Sequence, residues 1–305
     1  MAKLTDEQFS AYLAGAKEKL SAELPIAAEK KINYGYQYTV KLAEAKLTLN
    51  IYNGKKGLNI VYSGDSALAE RAAALLEGRR AQAAAPATFV TDGLWAGSDE
   101  SGKGDFFGSL VVAAVVVDNS TADKLRAAGV KDCKLLTDKK ILELEDIIKA
   151  SVVDYSVLEL KPRVYNLRYA QVAAQGGKLN QLLGYGHVAA LSKVLEKHED
   201  CHSALIDQFT TSMVNIRALK QRFPQCDVRQ QPKAESNLAV AAASVLARAQ
   251  FLHTMAALAA EAGVQELPKG GGAQATACAR ELAAKYGKEA LRNYVKLHFA
   301  NYQRV

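Results

Sequence analysis

The chain has 305 residues, 49% of them hydrophobic and 23% charged, with a formal net charge of +7. That length and apolar share exclude a disordered polymer and suffice for one or two packed cores. The longest uninterrupted apolar run, Leu110 to Val117, is eight residues, against roughly 20 for a membrane-spanning helix, so no membrane partner is expected.

From the N-terminus, Thr5 to Leu24 places Phe9, Leu13, Ala16 and Leu20 at helical spacing, with Thr5 positioned to cap. The opening MAKLTDEQFS carries early charge and no apolar stretch, so no secretory signal is expected. Between Tyr34 and Ile60 the period changes to two. Tyr38, Val40 and Leu42 alternate with polar residues, as do Leu47, Leu49 and Ile51, and Asn53-Gly54 signals a hairpin turn between two such runs. Tyr34, Tyr36 and Tyr38 share the alternation and offer one aromatic strand face, either for substrate or simply half-buried. Ser66 to Leu76 returns to helix. Residues 1–82 therefore read as a helix–sheet–helix unit with a curved antiparallel sheet. The Ala-rich stretch RRAQAAAPAT (Arg79 to Thr88) reads as a linker, which sets the expected boundaries at 1–82, a linker at 83–91, and a second domain at 92–305.

Beyond the linker, short apolar strands at Leu94 to Ser98, Leu110 to Val117, Val152 to Leu160 and Ala204 to Ile206 alternate with helices. The helices are expected at Lys139 to Ala150, Asn180 to Glu196 and Leu238 to His253, and two more lie in the tail from Ala273 to Tyr302, parted at Gly287. This mixture predicts an α/β fold with a mixed sheet covered on both faces.

Four carboxylates stand at element ends. Asp99 and Glu100 close the run LWAGS, Asp207 closes ALID, and Glu235 precedes the apolar helix AVAAASVLA. Such positions lie on the rim of a sheet, where a cleft forms. Clustered carboxylates repel unless a cation neutralises them, and hard oxygen donors suit Mg²⁺ or Mn²⁺ rather than Zn²⁺. Adjacent strand residues point to opposite faces, so a shared site for Asp99 and Glu100 is expected to need a backbone turn there, which Gly102 and Gly104 permit. Taken singly, an acid at an element end is more often a cap or a solvated charge.

The segment Gly102-Lys103-Gly104-Asp105-Phe106-Phe107-Gly108 is neither a dinucleotide fingerprint, which needs glycine at Phe107, nor a P-loop. Its glycines let backbone N–H groups approach a ligand, and Lys103 suits a phosphate; an ordinary turn with a surface lysine is the competing reading.

The run Asp99 to Gly108, DESGKGDFFG, resembles the signature of bacterial ribonuclease HIII. The resemblance continues in order through Gly129 to Lys134 (GVKDCK), Leu136 to Lys140 (LTDKK), Leu179-Asn180, Gly186-His187, Asp207-Gln208-Phe209, Lys233 to Ser236 (KAES), Leu267 to Gly270 (LPKG) and Lys296 to Asn301 (KLHFAN). It implies a ribonuclease H-like fold preceded by a small α+β domain resembling the TATA-binding protein, used to grip substrate. It places four active-site and metal-holding carboxylates on Asp99, Glu100, Asp207 and Glu235, and substrate contacts on Ser101, Gly102, Lys103, Gly104 and Lys134. Glu235, Lys103 and the extra N-terminal domain favour the HIII type over the sister ribonuclease HII. Two departures are Cys133 where members carry Ser, and Ser109 where they carry Pro.

The implied activity is hydrolysis of the RNA strand of an RNA–DNA hybrid with two Mg²⁺ or Mn²⁺ ions, leaving 5′-phosphate and 3′-hydroxyl ends. No organic cofactor is expected, and the chain is expected to act as a cytoplasmic monomer. The alternatives are a ribonuclease HII-like enzyme cutting at single ribonucleotides in DNA, and a non-catalytic hybrid-binding protein. The basic excess is shared, with twelve Lys/Arg against nine Asp/Glu up to residue 82 and twenty-seven against twenty-three beyond, so both domains suit a polyanion. The four cysteines are dispersed and form no C-x-x-C pair, as expected of reduced thiols. His198, Cys201 and His202 lack a partner pair for zinc and read as a solvated helix end. His187, beside Gly184 and Gly186, reads as packing or substrate-side rather than a general base. Lys269 to Gly272 reads as a loop.

Overall fold

The computed structural model describes residues 4–43, 45–54, 57–77, 89, 91–210 and 212–305, apart from the side chains at 66, 67, 70 and 77. The chain forms two compact units, Met1–Thr88 and Phe89–Val305. The stretch read as a linker, Arg79 to Thr88, lies outside the described residues.

The first unit runs α1 (Asp6–Glu23), β1 (Ile26–Ile32), β2 (Gly35–Leu42), β3 (Ala45–Gly54), β4 (Gly57–Gly64) and α2 (Ser66–Glu77). Thr5 caps α1 through a reciprocal box with Gln8, which satisfies backbone donors the helix start leaves free. The four strands pair antiparallel in chain order. Leu47, Leu49 and Ile51 on alternate positions of β3 are fully buried, packed with Leu13, Ala16 and Leu20 of α1.

Two expectations are met in part here: β3 and β4 pair as the expected hairpin, and Tyr36 and Tyr38 take the half-buried alternative. Asn53 and Gly54 are not the central turn residues: they are ladder residues opposite Leu58 and Gly57. The Asn53 side chain is instead buried, bonding the backbone N–H and C=O of Leu4. The three tyrosines do not share a face open to substrate either. Tyr34 sits exposed in the β1–β2 turn with φ +61°, while Tyr38 is buried and Tyr36 packs against the same core.

The second unit contains β5 (Leu94–Ser101), β6 (Leu110–Val117), α3 (Asn119–Ala127), α4 (Asp138–Ser151), β7 (Asp154–Leu160), α5 (Pro162–Ala174), α6 (Leu179–Leu195), β8 (Cys201–Asp207), α7 (Val214–Arg222), β9 (Asp227–Gln231), α8 (Leu238–Ala262), α9 (Ala273–Tyr286) and α10 (Ala300–Gln303). The sheet order is β7-β6-β5-β8-β9. β5 pairs antiparallel with β6 and parallel with β8, so the sheet is mixed. Every residue of β6 is buried. Its odd-numbered valines face a core with α8, while Val112, Ala114 and Val116 face a second core with α6. That is why its apolar run is unbroken rather than alternating. Helices on both faces make this a three-layer ribonuclease H-like α/β fold.

α8 is capped by Asn237, whose side chain accepts from Ala239 N–H, and is stopped by Gly263 at φ +65°. Its 25 residues are long and apolar enough to cross a membrane, yet 72% of its most apolar window is buried inside the unit, as befits a core helix. The expectation that nothing has that length measured unbroken apolar runs, which Ser244 and Arg248 interrupt. α8 packs against β5 so closely that a Cβ on Gly97 would lie 2.3 Å from the backbone nitrogen of Val240 and 2.9 Å from Ala239 Cβ. The tail also differs from expectation. After Gly287 (φ +85°) comes a 3₁₀ turn at Lys288–Asn293, a single bridge from Val295 to Phe107 and only the short α10, not a second long helix.

Candidate active site

An open cavity of about 670 Å³ lies over the ends of β5 and β8, lined among others by Asp99, Glu100, Ser101, Gly102, Lys103, Gly104, Lys134, Asp207 and Phe209. The backbone does not turn at Asp99–Glu100, contrary to expectation. Both are strand residues, paired opposite Ala113 and Val112 of β6. They reach one cavity from opposite faces because the ladder to β8 ends at Ser98–Ile206, leaving the last turn of β5 open on that edge. The chain turns only afterwards, at Gly102 (φ +85°), where a Cβ would lie 2.1 Å from the Ser109 carbonyl oxygen. Gly104 has open space at its Cβ position, so its backbone is free to approach a ligand.

Asp99 is 7% exposed. Burial first, then the adjacent Glu100 charge and that of Asp207, pushes its carboxyl well above the usual carboxylate range, opposed by the Glu100 N–H bonded to Oδ1. Burial alone would raise Glu100 as well. His187 Nε2 at 3.2 Å and Lys103 Nζ at 3.5 Å from its carboxylate overcome this and hold it below the usual range. Asp207 Oδ1 accepts from Ala234 N–H at 3.1 Å; burial, then Glu235 and Glu100, raises its pKa.

Glu235 sits on the 3₁₀ turn Ala234–Ser236 before α8 and does not line the cavity. Lys233 enters that turn in the left-handed region, φ +57°, which aims Ala234 N–H at Asp207 and leaves Glu235 half-buried beside it. Its charge still acts on Asp207 and on Lys134. Lys134, on the 3₁₀ turn Cys133–Leu135, loses charge stability to burial. The fields of Asp132, Asp99, Asp207 and Glu235 more than restore it, and its pKa is raised. One lysine is thus held by three of the four predicted site acids.

Among the described residues, no three His, Cys, Asp or Glu side chains close into a metal cage. The donor set nevertheless fits a hard divalent cation. Mg²⁺ is ordinarily bound by one or two carboxylates with waters and substrate phosphates completing its shell, and mutual repulsion among buried acids is what a cation relieves. The residues that would hold it are Asp99, Glu100 and Asp207, with Glu235 behind Asp207.

Several contributors carry no assigned site role in the sequence reading, in which His187 is packing or substrate-side. His187 is fully buried, bonded to Ser98 and Glu100 and stacked on Phe209. Asp138 and Arg248 line the far end of the cavity, 3.2 Å apart, with Lys269 also paired to Asp138. The loop of residues 105–108 is clamped from behind by Lys296, whose Nζ donates to the carbonyls of Asp105, Phe107 and Gly108. The glycines around His187 were the available signal, since glycine inside a helix costs about 1 kcal/mol and implies a packing reason. Cys133 lines the cavity, its backbone N–H bonded to Ser244 Oγ. Burial pushes its thiol up to about 11, so it is protonated and a poor nucleophile. His198 bonds Asp154 rather than joining a zinc set.

The ribonuclease HII family model matches residues 96–302. The chain is 38% identical over 203 residues to a ribonuclease HIII of Protochlamydia amoebophila, covering 67% of this chain and 65% of that protein, just under two thirds. It is 42% identical over 214 residues to a ribonuclease HIII of Bacillus mycoides, covering 68% and 67%. The structure is similar to that of Bst-RNase HIII in complex with Mn²⁺, at TM-score 0.63 and 29% identity, covering 99% of this chain and 96% of that one.

Proposed function

The chain belongs to the ribonuclease HII family with ribonuclease HIII proteins as its relatives, and from that premise we propose that it is an endonuclease hydrolysing the RNA strand of RNA–DNA hybrids. One observation carries the reading. Asp99, Glu100 and Asp207 line a single open cavity together with Lys103, Lys134 and the turn of Gly102 to Gly104. Asp99 is buried and Glu100 is paired, yet the cavity they line is open on a scale that admits a phosphodiester strand.

The ions held there would be Mg²⁺ or Mn²⁺, in line with the Mn²⁺ bound by the structural relative. A pair of such ions, when held by these residues, would supply an activated water and charge neutralisation at the leaving oxygen, which would give 5′-phosphate and 3′-hydroxyl ends. The chain's own residues do the rest. Asp99, with Glu100 and Asp207 on the same cavity, would hold the ions. Glu100 is kept ionised by His187 and Lys103, and Asp207 is aimed by Ala234 N–H. Lys134 and Lys103 offset phosphate charge. The backbone of Gly102 to Gly104 is the candidate reader of the 2′-hydroxyl, the group that tells RNA from DNA. The first unit, with its own basic excess, serves to grip the hybrid, as a monomer in the cytoplasm.

The test is incubation of the purified chain with an end-labelled hybrid and with a duplex holding one ribonucleotide, with Mg²⁺, with Mn²⁺ and without metal. Cleavage of the continuous hybrid that needs metal supports the reading. Preferential cutting at the lone ribonucleotide favours the HII-like alternative, and hybrid binding without cleavage leaves a binding protein. Asp207→Asn should fold, bind hybrid and cleave on the order of a hundredfold more slowly.

A further inference from the structure

α6 carries Gly184 and Gly186 in the turn that leads into His187. A Cβ on Gly186 would lie 2.8 Å from Val112 Cγ2 of β6, and one on Gly184 would lie 1.9 Å from Asn215 Nδ2 of α7. The helix is therefore drawn onto its neighbours here, and the His187 ring is delivered over the edge of β5 with no solvent exposure. Its Nδ1 lies 2.9 Å from Ser98 Oγ and its Nε2 lies 3.2 Å from Glu100 Oε2. Ser98 and Glu100 are two apart on β5 and share a face. The ring also stacks on Phe209, with centroids 4.8 Å apart and planes at 7°, and Phe209 follows Asp207 by two residues.

We propose that His187 is a positioning residue that fixes the Glu100 carboxylate, and through Phe209 the loop after Asp207, in the geometry the metal-holding site requires. The proposal rests on the reading of those acids as metal-holding. A carboxylate only accepts hydrogen bonds, so Nε2 carries the hydrogen, and Ser98 occupies Nδ1 and prevents the ring from turning over. One imidazole thus ties the second acid to the third. Partners of this kind behind metal ligands are worth about 10- to 100-fold in affinity or activity. A buried histidine that merely filled the core would need neither the in-line pair of polar partners nor the parallel stack.

Two substitutions separate positioning from packing. In His187→Gln the amide nitrogen falls near the place of Nε2 and keeps a donor to Glu100. In His187→Asn it falls near Nδ1, keeping Ser98 and losing Glu100. If the ring only packs, both cost alike. The expected result is that His187→Asn loses about 10- to 100-fold in kcat with KM for the hybrid unchanged. Mn²⁺ affinity of the substrate-free protein, by titration calorimetry, should weaken by a similar factor, while His187→Gln retains most of both. Equal losses in the two variants, or wild-type kcat and Mn²⁺ affinity in His187→Asn, overturn the proposal. Should neither variant fold, Ser98→Ala decides it: a several-fold fall in kcat and Mn²⁺ affinity at unchanged KM is expected, and wild-type values overturn it. The calorimetric readout needs no substrate. An inactive wild type would therefore sink the nuclease reading and leave the His187 result standing or falling by itself.

Discussion

Lys296 Nζ lies 2.7 Å from the carbonyl oxygen of Gly108, 188 residues earlier in the chain. The same ammonium reaches the carbonyls of Asp105 and Phe107, and the backbone around it completes the clamp, with Lys296 N–H on Phe106 C=O and Gly108 N–H on Tyr294 C=O. Burial pulls the pKa of Lys296 down to about 7, although three carbonyl acceptors match the three donors of an ammonium. An unfolded lysine keeps its proton to about pH 10.4. Between pH 7 and that value the unfolded chain therefore binds more protons, and stability rises with pH. Lys296→Met should flatten that rise in urea unfolding between pH 7 and 10. It should also lower Tm, because three buried carbonyls lose their donor. A slope equal to that of the wild type would show that Lys296 does not titrate in this window.

Gly102→Ala should destabilise by about 1–3 kcal/mol and reduce cleavage. The left-handed φ of +85° disfavours any side chain, and the new Cβ would meet the Ser109 carbonyl oxygen at 2.1 Å. That atom is backbone, so the turn lining the cavity must shift. Gly104→Ala meets nothing within 4 Å and should leave stability unchanged. Any loss it shows should be in hybrid KM. Denaturant midpoints and steady-state kinetics of the pair check this.

Ser109→Ala should raise stability by about 1 kcal/mol, or roughly 2–4 °C in Tm. Its hydroxyl is fully buried and has no hydrogen-bond partner among the described residues, and alanine removes that unsatisfied group. Calorimetric Tm values measured beside unchanged kcat would agree; a lower Tm would show that the hydroxyl has a partner after all.

Asp99→Asn should raise the Tm of the metal-free protein near pH 8 and abolish the increment that Mn²⁺ gives the wild type. A carboxyl whose folded pKa is raised binds its proton more tightly when folded. Its favourable contribution is complete below the usual carboxylate range and is lost as pH climbs through the elevated folded value. In EDTA the stability difference between Asp99→Asn and wild type should therefore shrink on acidification. A cation binding only the folded state stabilises by mass action. A Tm scan with EDTA and with Mn²⁺ reads both effects.

The fold class was legible because β6 is a fully apolar run and because strands alternate with amphipathic helices. The less apolar elements were not. α7 and β9 carry Lys, Arg, Asn and Gln at most positions, and α3 and α5 intersperse them among their apolar residues, so their periodicity is faint and only tertiary packing fixes them. β1, IAAEKKI, exposes most of its residues and exists through its ladder to β2. The site was legible at Asp99, Glu100 and Asp207 because strand ends gather on one rim of a sheet. Three features were not. Glu235 stands back from the cavity because of a left-handed lysine, a backbone choice no pattern announces. The two adjacent acids share the cavity through a ladder that stops early, not through a turn. His187 looked like core because the partners it bonds lie 87 and 89 residues away.

The contact between Gly97 and the start of α8 has one more consequence. Strand and helix meet there main chain to main chain, so no rotamer is available to absorb an altered volume. The interval between the carboxylates of β5 and Glu235, which leads into α8, is accordingly set by the thickness of two polypeptide backbones. A single added methyl group at position 97 would act as a wedge and separate the acids without touching any of them.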